Sequence, residues 1–221
     1  MINIESYVSR LTDLLLQHFD SRLLYVGLQG SYLRGEATES SDIDIMVVID
    51  GLSVADLEVY RAIIESLESP EKSCGFICSK SDLAHWNPLE ICHVLHTTKD
   101  CYGILADHIP AYTEDDIRNF VKFSLNGLYH ELCHRYIHAS ADRNVEALPY
   151  TYKGVFFILQ NLHYLRTGTF VATKAALLNN LSGMDHAVMQ RSLELTVGGD
   201  YDFENSFELL FTWCQKTLET L

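Results

Sequence analysis

Residues 30 to 44 read GSYLRGEATESSDID, a Gly-Ser pair followed by two aspartates at alternate positions, Asp42 and Asp44. The run continues into the apolar stretch IMVVID, so the aspartates open a predicted strand. Alternate residues of a strand share a face, so both carboxylates project together while Ile43 and Ile45 point the other way. Two carboxylates on one face can share a hard divalent cation, and Mg²⁺ typically takes one or two carboxylates together with substrate phosphate oxygens. Ahead of them LLYVGL, residues 23 to 28, reads as a short buried strand, and Gly30 permits a sharp turn with exposed N–H groups. Those donors, the Ser31 hydroxyl and the N-terminus of a helix predicted to begin just after Ser31 suit a phosphate. A Gly-Ser turn or an Asp-x-Asp edge alone is ordinary loop chemistry. Here glycine, serine, spacing and the two flanking apolar strands agree, and together they describe a site for a nucleoside triphosphate and a metal ion.

Gly30, Ser31, Arg34, Gly35, Ser41, Asp42 and Asp44 fit the pattern Gly-Ser-x-x-Arg-Gly, then Ser-Asp-x-Asp. The segment resembles the signature of the DNA polymerase beta-like nucleotidyltransferase superfamily, and in particular its small bacterial members, minimal and aminoglycoside-type, with a C-terminal helical domain. The sharp match covers about fifteen residues, with looser agreement to about residue 105. The resemblance implies that Asp42 and Asp44 are catalytic and hold Mg²⁺ or Mn²⁺. It further implies that Gly30, Ser31, Arg34 and Ser41 contact the nucleotide, with ATP the expected donor. Arg34 is equally placed to pair with Glu36 or Glu39. The later stretch YTYKGVFFILQNLHYLRTGTFVATKAALLN is similar, more loosely, to the helical domains of such enzymes, and the resemblance makes Lys153 a candidate for the triphosphate.

These residues need elements to position them, and the sequence supplies two grammars. Up to about residue 110, short apolar runs alternate with helical stretches: an amphipathic N-terminal helix, strands over 23–28 and 43–49, a helix over 54–68, a strand over 73–79 and another within 90–99. Beyond Pro110 the periods are all helical. One helix starts at Thr113, an N-cap followed by acids, and others cover 151–166, 173–181, 185–196 and 203–220. The expectation is an α+β fold in which a nucleotidyltransferase-type mixed sheet flanked by helices, residues 1–110, precedes an all-α bundle, residues 111–221.

Many members of the superfamily carry a third acid on a later strand. The corresponding strand here, SCGFICS, has none, and Gly75 falls about where that acid is expected. Glu90 on the next segment is the candidate substitute, with Glu131 or Glu146 as alternatives. One further motif, HELCH at 130–134 continued by His138, fits the zinc-protease pattern. It lacks a recognisable third ligand downstream, and a histidine stripe on a helix face explains it more simply.

Composition narrows the partners. The 221 residues carry a net charge of −14, with 17 acidic against 7 basic residues in 1–110 and 13 against 9 in 111–221. Nucleic-acid binders present basic patches, so a nucleic-acid acceptor is excluded in favour of a small molecule or a protein side chain. Six cysteines without a secretion signal point to reduced thiols and the cytoplasm, and Cys74 and Cys78 lack the partner pair of a zinc ribbon. No apolar run approaches the roughly 20 residues of a membrane span. The expected activity is metal-dependent transfer of a nucleoside monophosphate to a hydroxyl of a small molecule such as an antibiotic. The alternatives are a protein AMP-transferase of the antitoxin type and a nucleotide-binding regulator without transfer. A homodimer sharing an acceptor cleft is compatible with each.

Overall fold

The computed structural model describes residues 2–221, and the chain divides into two compact units, Met1–Tyr112 and Thr113–Leu221. The first unit runs α1 (Ile4–Phe19), β1 (Leu23–Leu28), α2 (Gly30–Arg34), β2 (Ile43–Ile49), α3 (Val54–Glu65), β3 (Ser73–Ser79), α4 (Lys80–Ala84), α5 (Pro88–His96) and β4 (Lys99–Tyr102). Helix α1 forms because Tyr7, Val8, Leu11, Leu15 and Phe19 recur on one face, and Asn3 caps its start by accepting the Ser6 N–H at 3.0 Å.

Among the described residues the four strands form one mixed sheet in the order β3-β2-β1-β4. Strand β1 is antiparallel to both β2 and β4, while β2 and β3 are parallel. The alternation of β2 decides what each face does. Ile43, Ile45, Val47 and Ile49 pack with α1 residues, with Ile63 of α3 and with Leu67 just after that helix. Met46 and Val48 pack on the opposite face with Tyr25, Cys78 and Leu83. Asp44 shares this second face by the same two-residue period.

Arg22, just before β1, fixes the far end of the sheet. Its guanidinium donates to the carbonyls of Asp50 and Gly51, each at 3.0 Å, and to Asp56 Oδ2 at 2.7 Å. Asp56 also accepts from the Ser53 N–H and hydroxyl, both at 2.8 Å, which closes the capping box of α3.

The segment 90–99 differs from the expectation of a strand. It is mostly helix α5, and only Lys99–Tyr102 pairs in the sheet. The cause is local: Asn87 caps the helix with its side chain, and Pro88 takes the first position, where its missing N–H costs nothing.

The second unit is all helical: α6 (Glu114–His138), α7 (Ala141–Lys153), α8 (Val155–Thr167), α9 (Lys174–Asn180), α10 (Gly183–Val197) and α11 (Phe203–Thr220). Thr113 caps α6 in a full capping box with Asp116. The core joins Leu125 and Leu128 of α6 to Tyr152, Phe156, Leu159, Val188, Leu210 and Trp213. Trp213 is buried, and its indole N–H donates to Asp185 Oδ1 at 2.7 Å while Arg166 holds the other carboxylate oxygen at 2.6 Å. A buried indole needs such an acceptor. Helix α7, absent from the sequence reading, carries Pro149 inside it and buries Asn144, Leu148 and Tyr152 at four-residue intervals. None of the helices among the described residues is long and apolar enough to cross a membrane.

Candidate active site

Strand β1 ends at Leu28, and the chain turns at Gln29 into α2. The Gln29 N–H donates to the Asp44 carbonyl at 2.9 Å, which fastens the turn to β2. The Gln29 side-chain amide donates to Thr98 Oγ1 at 2.7 Å, which fastens it to the approach to β4. Gly30 follows with φ of 69°, and a Cβ there would lie 1.8 Å from Asp44 Oδ2. Only a glycine tolerates both the left-handed backbone and that contact. The Gly-Ser turn and the second aspartate, fourteen positions apart in the motif as numbered, therefore meet in space.

Asp42 is exposed at the entrance to β2, and Asp44 is half-buried within it. Burial pushes the Asp44 carboxyl above the usual carboxylate range; a hydrogen bond from the Cys74 thiol and the Arg34 cation pull it back, while Asp42 adds to the rise. Asp42, Arg34 and Cys74 thus all lie within electrostatic reach of Asp44.

Arg34 closes α2, and its Nε donates to Glu36 Oε2 at 2.9 Å, so Glu36, one of its two expected acidic neighbours, is engaged. Ser31 lies in the first turn of α2, where its carbonyl accepts the Glu36 N–H at 2.9 Å. Ser41 is placed in the loop before the aspartates, and its hydroxyl accepts the Thr38 N–H at 2.8 Å, bracing that loop.

The two positions offered for the third acid fall on different elements. Parallel pairing of β2 with β3 sets Cys74 opposite Asp44 and Gly75 opposite Ile45. Position 75 therefore belongs to the face turned toward the α1 and α3 core, and a Cβ there would lie 2.0 Å from the Ile45 carbonyl oxygen. The residue beside Asp44 is Cys74, exposed on the edge strand. Glu90 stands on α5 and not on a strand, where its carboxylate accepts the Trp86 indole N–H.

The same helix brings in residues that the sequence reading passed over. Burial first, then Arg34 and His96, push the His93 imidazole down to about 4, so it is neutral at physiological pH. The signal was present as histidines three apart on a capped helix, but the apolar run ICHVLH reads as a strand.

In the helical unit Lys153 is exposed at the end of α7, with Nζ 4.7 Å from the centroid of the Tyr150 ring. Glu131 pairs with Arg135 at 2.8 Å, and Glu146 is exposed on α7. His130, His134 and His138 form an exposed stripe along α6 with ring centroids 6.0 and 4.8 Å apart in succession. Among the described residues no three His, Cys, Asp or Glu side chains converge to hold an ion by themselves.

Comparison with known proteins points the same way as the turn and the aspartates. Residues 10–74 match the model of the nucleotidyltransferase domain family. A stretch of 43 residues is 51% identical to a protein of Methanocaldococcus jannaschii described as a candidate protein adenylyltransferase, covering 20% of this chain and 43% of that one. The match thus spans less than half the length of the curated relative. Among solved structures, a spectinomycin adenyltransferase of Enterococcus faecialis with ATP and spectinomycin shares the fold at a TM-score of 0.59 and 14% identity. That alignment covers 98% of this chain and 100% of the other. A toxin-antitoxin structure with AMP-PNP aligns at a TM-score of only 0.34 and 22% identity over 62% of this chain and 94% of its own, too little to carry weight.

Proposed function

From a chain that carries a nucleotidyltransferase domain of the DNA polymerase beta-like superfamily, we propose an adenylyl transfer from ATP to a hydroxyl of a small molecule. The observation that carries the reading is the contact of the Gly-Ser turn with Asp44, which sets a turn suited to a phosphate against one of the two carboxylates.

In the proposed reaction the acceptor oxygen attacks the α-phosphorus, a new P–O bond forms, the bond to the β-phosphate breaks and pyrophosphate leaves. The N–H groups at the start of α2 and the Ser31 hydroxyl orient the terminal phosphates. Arg34, braced by Glu36, contributes positive charge near the leaving group, and Ser41 shapes the loop over the nucleotide. Asp42 and Asp44 are the residues that would hold Mg²⁺ or Mn²⁺, and they fit it: both are hard oxygen donors, and the bare Cα of Gly30 makes the space that the Asp44 carboxylate itself occupies. Among the described residues no third His, Cys, Asp or Glu converges with them, so triphosphate oxygens would supply the remaining ligands. A metal bound there neutralises charge on the attacking and leaving oxygens. Lys153 as a triphosphate contact rests on the resemblance alone.

The small-molecule acceptor is favoured by a fold shared along the whole chain with a spectinomycin adenyltransferase, and the acidic balance of this chain suits a cationic acceptor. A second reading, transfer to a protein hydroxyl, is favoured by the segment shared with the archaeal relative. Incubating the full chain with labelled ATP, Mg²⁺ and panels of aminocyclitols, other hydroxylated small molecules and proteins separates the two by which acceptor gains label. Transfer that survives the double change Asp42→Ala, Asp44→Ala would overturn both.

A further inference from the structure

The HELCH segment serves neither the nucleotidyltransferase reading nor the zinc-protease pattern. His130, His134 and His138 recur every four residues of α6, so they share one face and span two turns, about 12 Å. Their rings follow one another with centroids 6.0 and 4.8 Å apart. Together with Glu131, Arg135 and, from α7, Arg143 they line a cavity of about 520 Å³. In a chain of net charge −14, three histidines and two arginines thus face a single carboxylate. That carboxylate is engaged: Glu131 Oε1 accepts from Arg135 Nε at 2.8 Å and from the Thr151 hydroxyl at 3.2 Å. Among the described residues the three imidazoles and Arg143 have no hydrogen-bond or ion-pair partner. Asp142 and Glu146 of α7 are exposed and do not line the cavity.

The arginines decide the sign of the ligand. Histidines one turn apart can chelate a cation, but two guanidiniums in the same cavity repel one, and among the described residues no three ligating side chains converge. An anion is attracted by the same groups. Each imidazole donates an N–H whether neutral or protonated, and the Arg135 guanidinium keeps donors beyond the Nε given to Glu131. Helix α7 adds to the field: its N-cap Ser140 makes no side-chain hydrogen bond to it, which leaves N–H groups open in the turn that carries Arg143. Donors spread over two turns exceed the reach of one carboxylate and suit an anion with several charged oxygens. We propose that this face of the helical unit binds an oligophosphate, the P–O–P chain of pyrophosphate or of a nucleotide, through His130, His134, His138 and Arg143. The site draws on no group of the first unit, so it stands or falls separately from the nucleotidyltransferase reading.

Inorganic pyrophosphate is the probe, titrated into the full chain at neutral pH with EDTA present, while proton–carbon NMR follows the imidazole signals and calorimetry the affinity. Histidine-to-glutamine changes assign the signals. The expected result is saturable binding that moves the signals of His130, His134 and His138 and leaves the other histidines still. Arg143→Gln weakens it about tenfold or more, the scale of a charge-assisted hydrogen bond, and Arg143→Lys restores part of the loss. In Arg34→Gln the histidine response persists. Binding that Arg34→Gln abolishes and Arg143→Gln does not would place pyrophosphate at the nucleotide site, which overturns the proposal and supports the nucleotidyltransferase reading. Sulfate or acetate moving the same signals equally at equal concentration marks a nonspecific anion response and overturns it too, as does the absence of pyrophosphate binding. The exchanged histidines and Arg143 are exposed, and circular dichroism of each variant confirms that the fold is retained.

Discussion

Gly30 and Asp44 occupy one another's space: a methyl group on the glycine would stand 1.8 Å from the aspartate's Oδ2. The turn and the carboxylate form a single object, so a change to either is a change to both. Gly30→Ala must move the Asp44 carboxylate or flatten a backbone held at φ of 69°. The expected result is a loss of about tenfold or more in affinity for an ATP analogue, about 1.4 kcal/mol or more. Calorimetric titration measures it, and far-UV circular dichroism checks that the sheet remains.

Asp44 also makes a prediction about pH. Burial is the main reason its carboxyl lies above the usual range, so the folded protein binds that proton more tightly than the unfolded chain does. Ionised Asp44 therefore opposes folding, and its cost fades as pH falls. Asp44→Asn is expected to raise the melting temperature at neutral pH while removing transfer, a split between stability and activity that scanning calorimetry and a turnover assay read together. In the unsubstituted chain, Mg²⁺-supported nucleotide binding weakens as pH falls toward the raised pKa, because the ligand must be the carboxylate.

The pairing of β2 with β3 predicts opposite outcomes at adjacent positions. Cys74→Asp places a carboxylate beside Asp44 on an exposed edge strand and is expected to raise Mg²⁺-dependent pyrophosphate release by about tenfold, the scale of a ligand contribution. Gly75→Asp instead drives a Cβ to 2.0 Å from the Ile45 carbonyl and strains a φ of 113°. It is expected to cost about 2 kcal/mol or more of stability, measured as a shift of the urea midpoint, and to rescue nothing.

Acid stability should depend on the Arg22–Asp56 pair. The Arg22 guanidinium, with Ser53 behind it, holds the Asp56 carboxyl well below the usual carboxylate range. A depressed folded pKa contributes stability that is present above the unfolded value, about 3.9, and is lost as pH falls below it. Asp56→Asn is expected to lower the urea midpoint at pH 7 and to flatten its decline in the acid range below about pH 4. Equal slopes for the two proteins across that range would show that other carboxylates govern acid unfolding.

The strands at 23–28, 43–49 and 73–79 were legible because each is a short apolar run bounded by turn residues, and the sheet builds them with those bounds. Helix α3 was legible too, although it stops at Glu65 and not at 68. What failed was arbitration by local pattern alone. ICHVLH has the composition of a strand, yet the Asn87-Pro88 start makes it a helix. Helix α7 escaped because Pro149 reads as a breaker, while its buried Asn144, Leu148 and Tyr152 identify their face only against the bundle.

The candidate site divides in the same way. The Gly-Ser turn and the two aspartates are neighbours in sequence and carry their meaning there. The partner of Asp44 is set by a register between strands thirty residues apart, and a slip of one residue exchanges Cys74 for Gly75 and one face of the sheet for the other. No local signal fixes that choice, so the sequence alone does not say which of the two residues stands beside Asp44.

The backbone amide of Gln29 offers a way to watch this site without any ligand. Its hydrogen is held by the Asp44 carbonyl while the side chain of the same residue grips Thr98 across the sheet. Solvent deuterium can replace that hydrogen only when the turn lifts from β2, so its exchange rate reports how often the site comes apart in the resting protein. A slow rate, matching that of the central strand, would mean that the proposed phosphate cradle is assembled at folding and that arriving nucleotide has little left to organise.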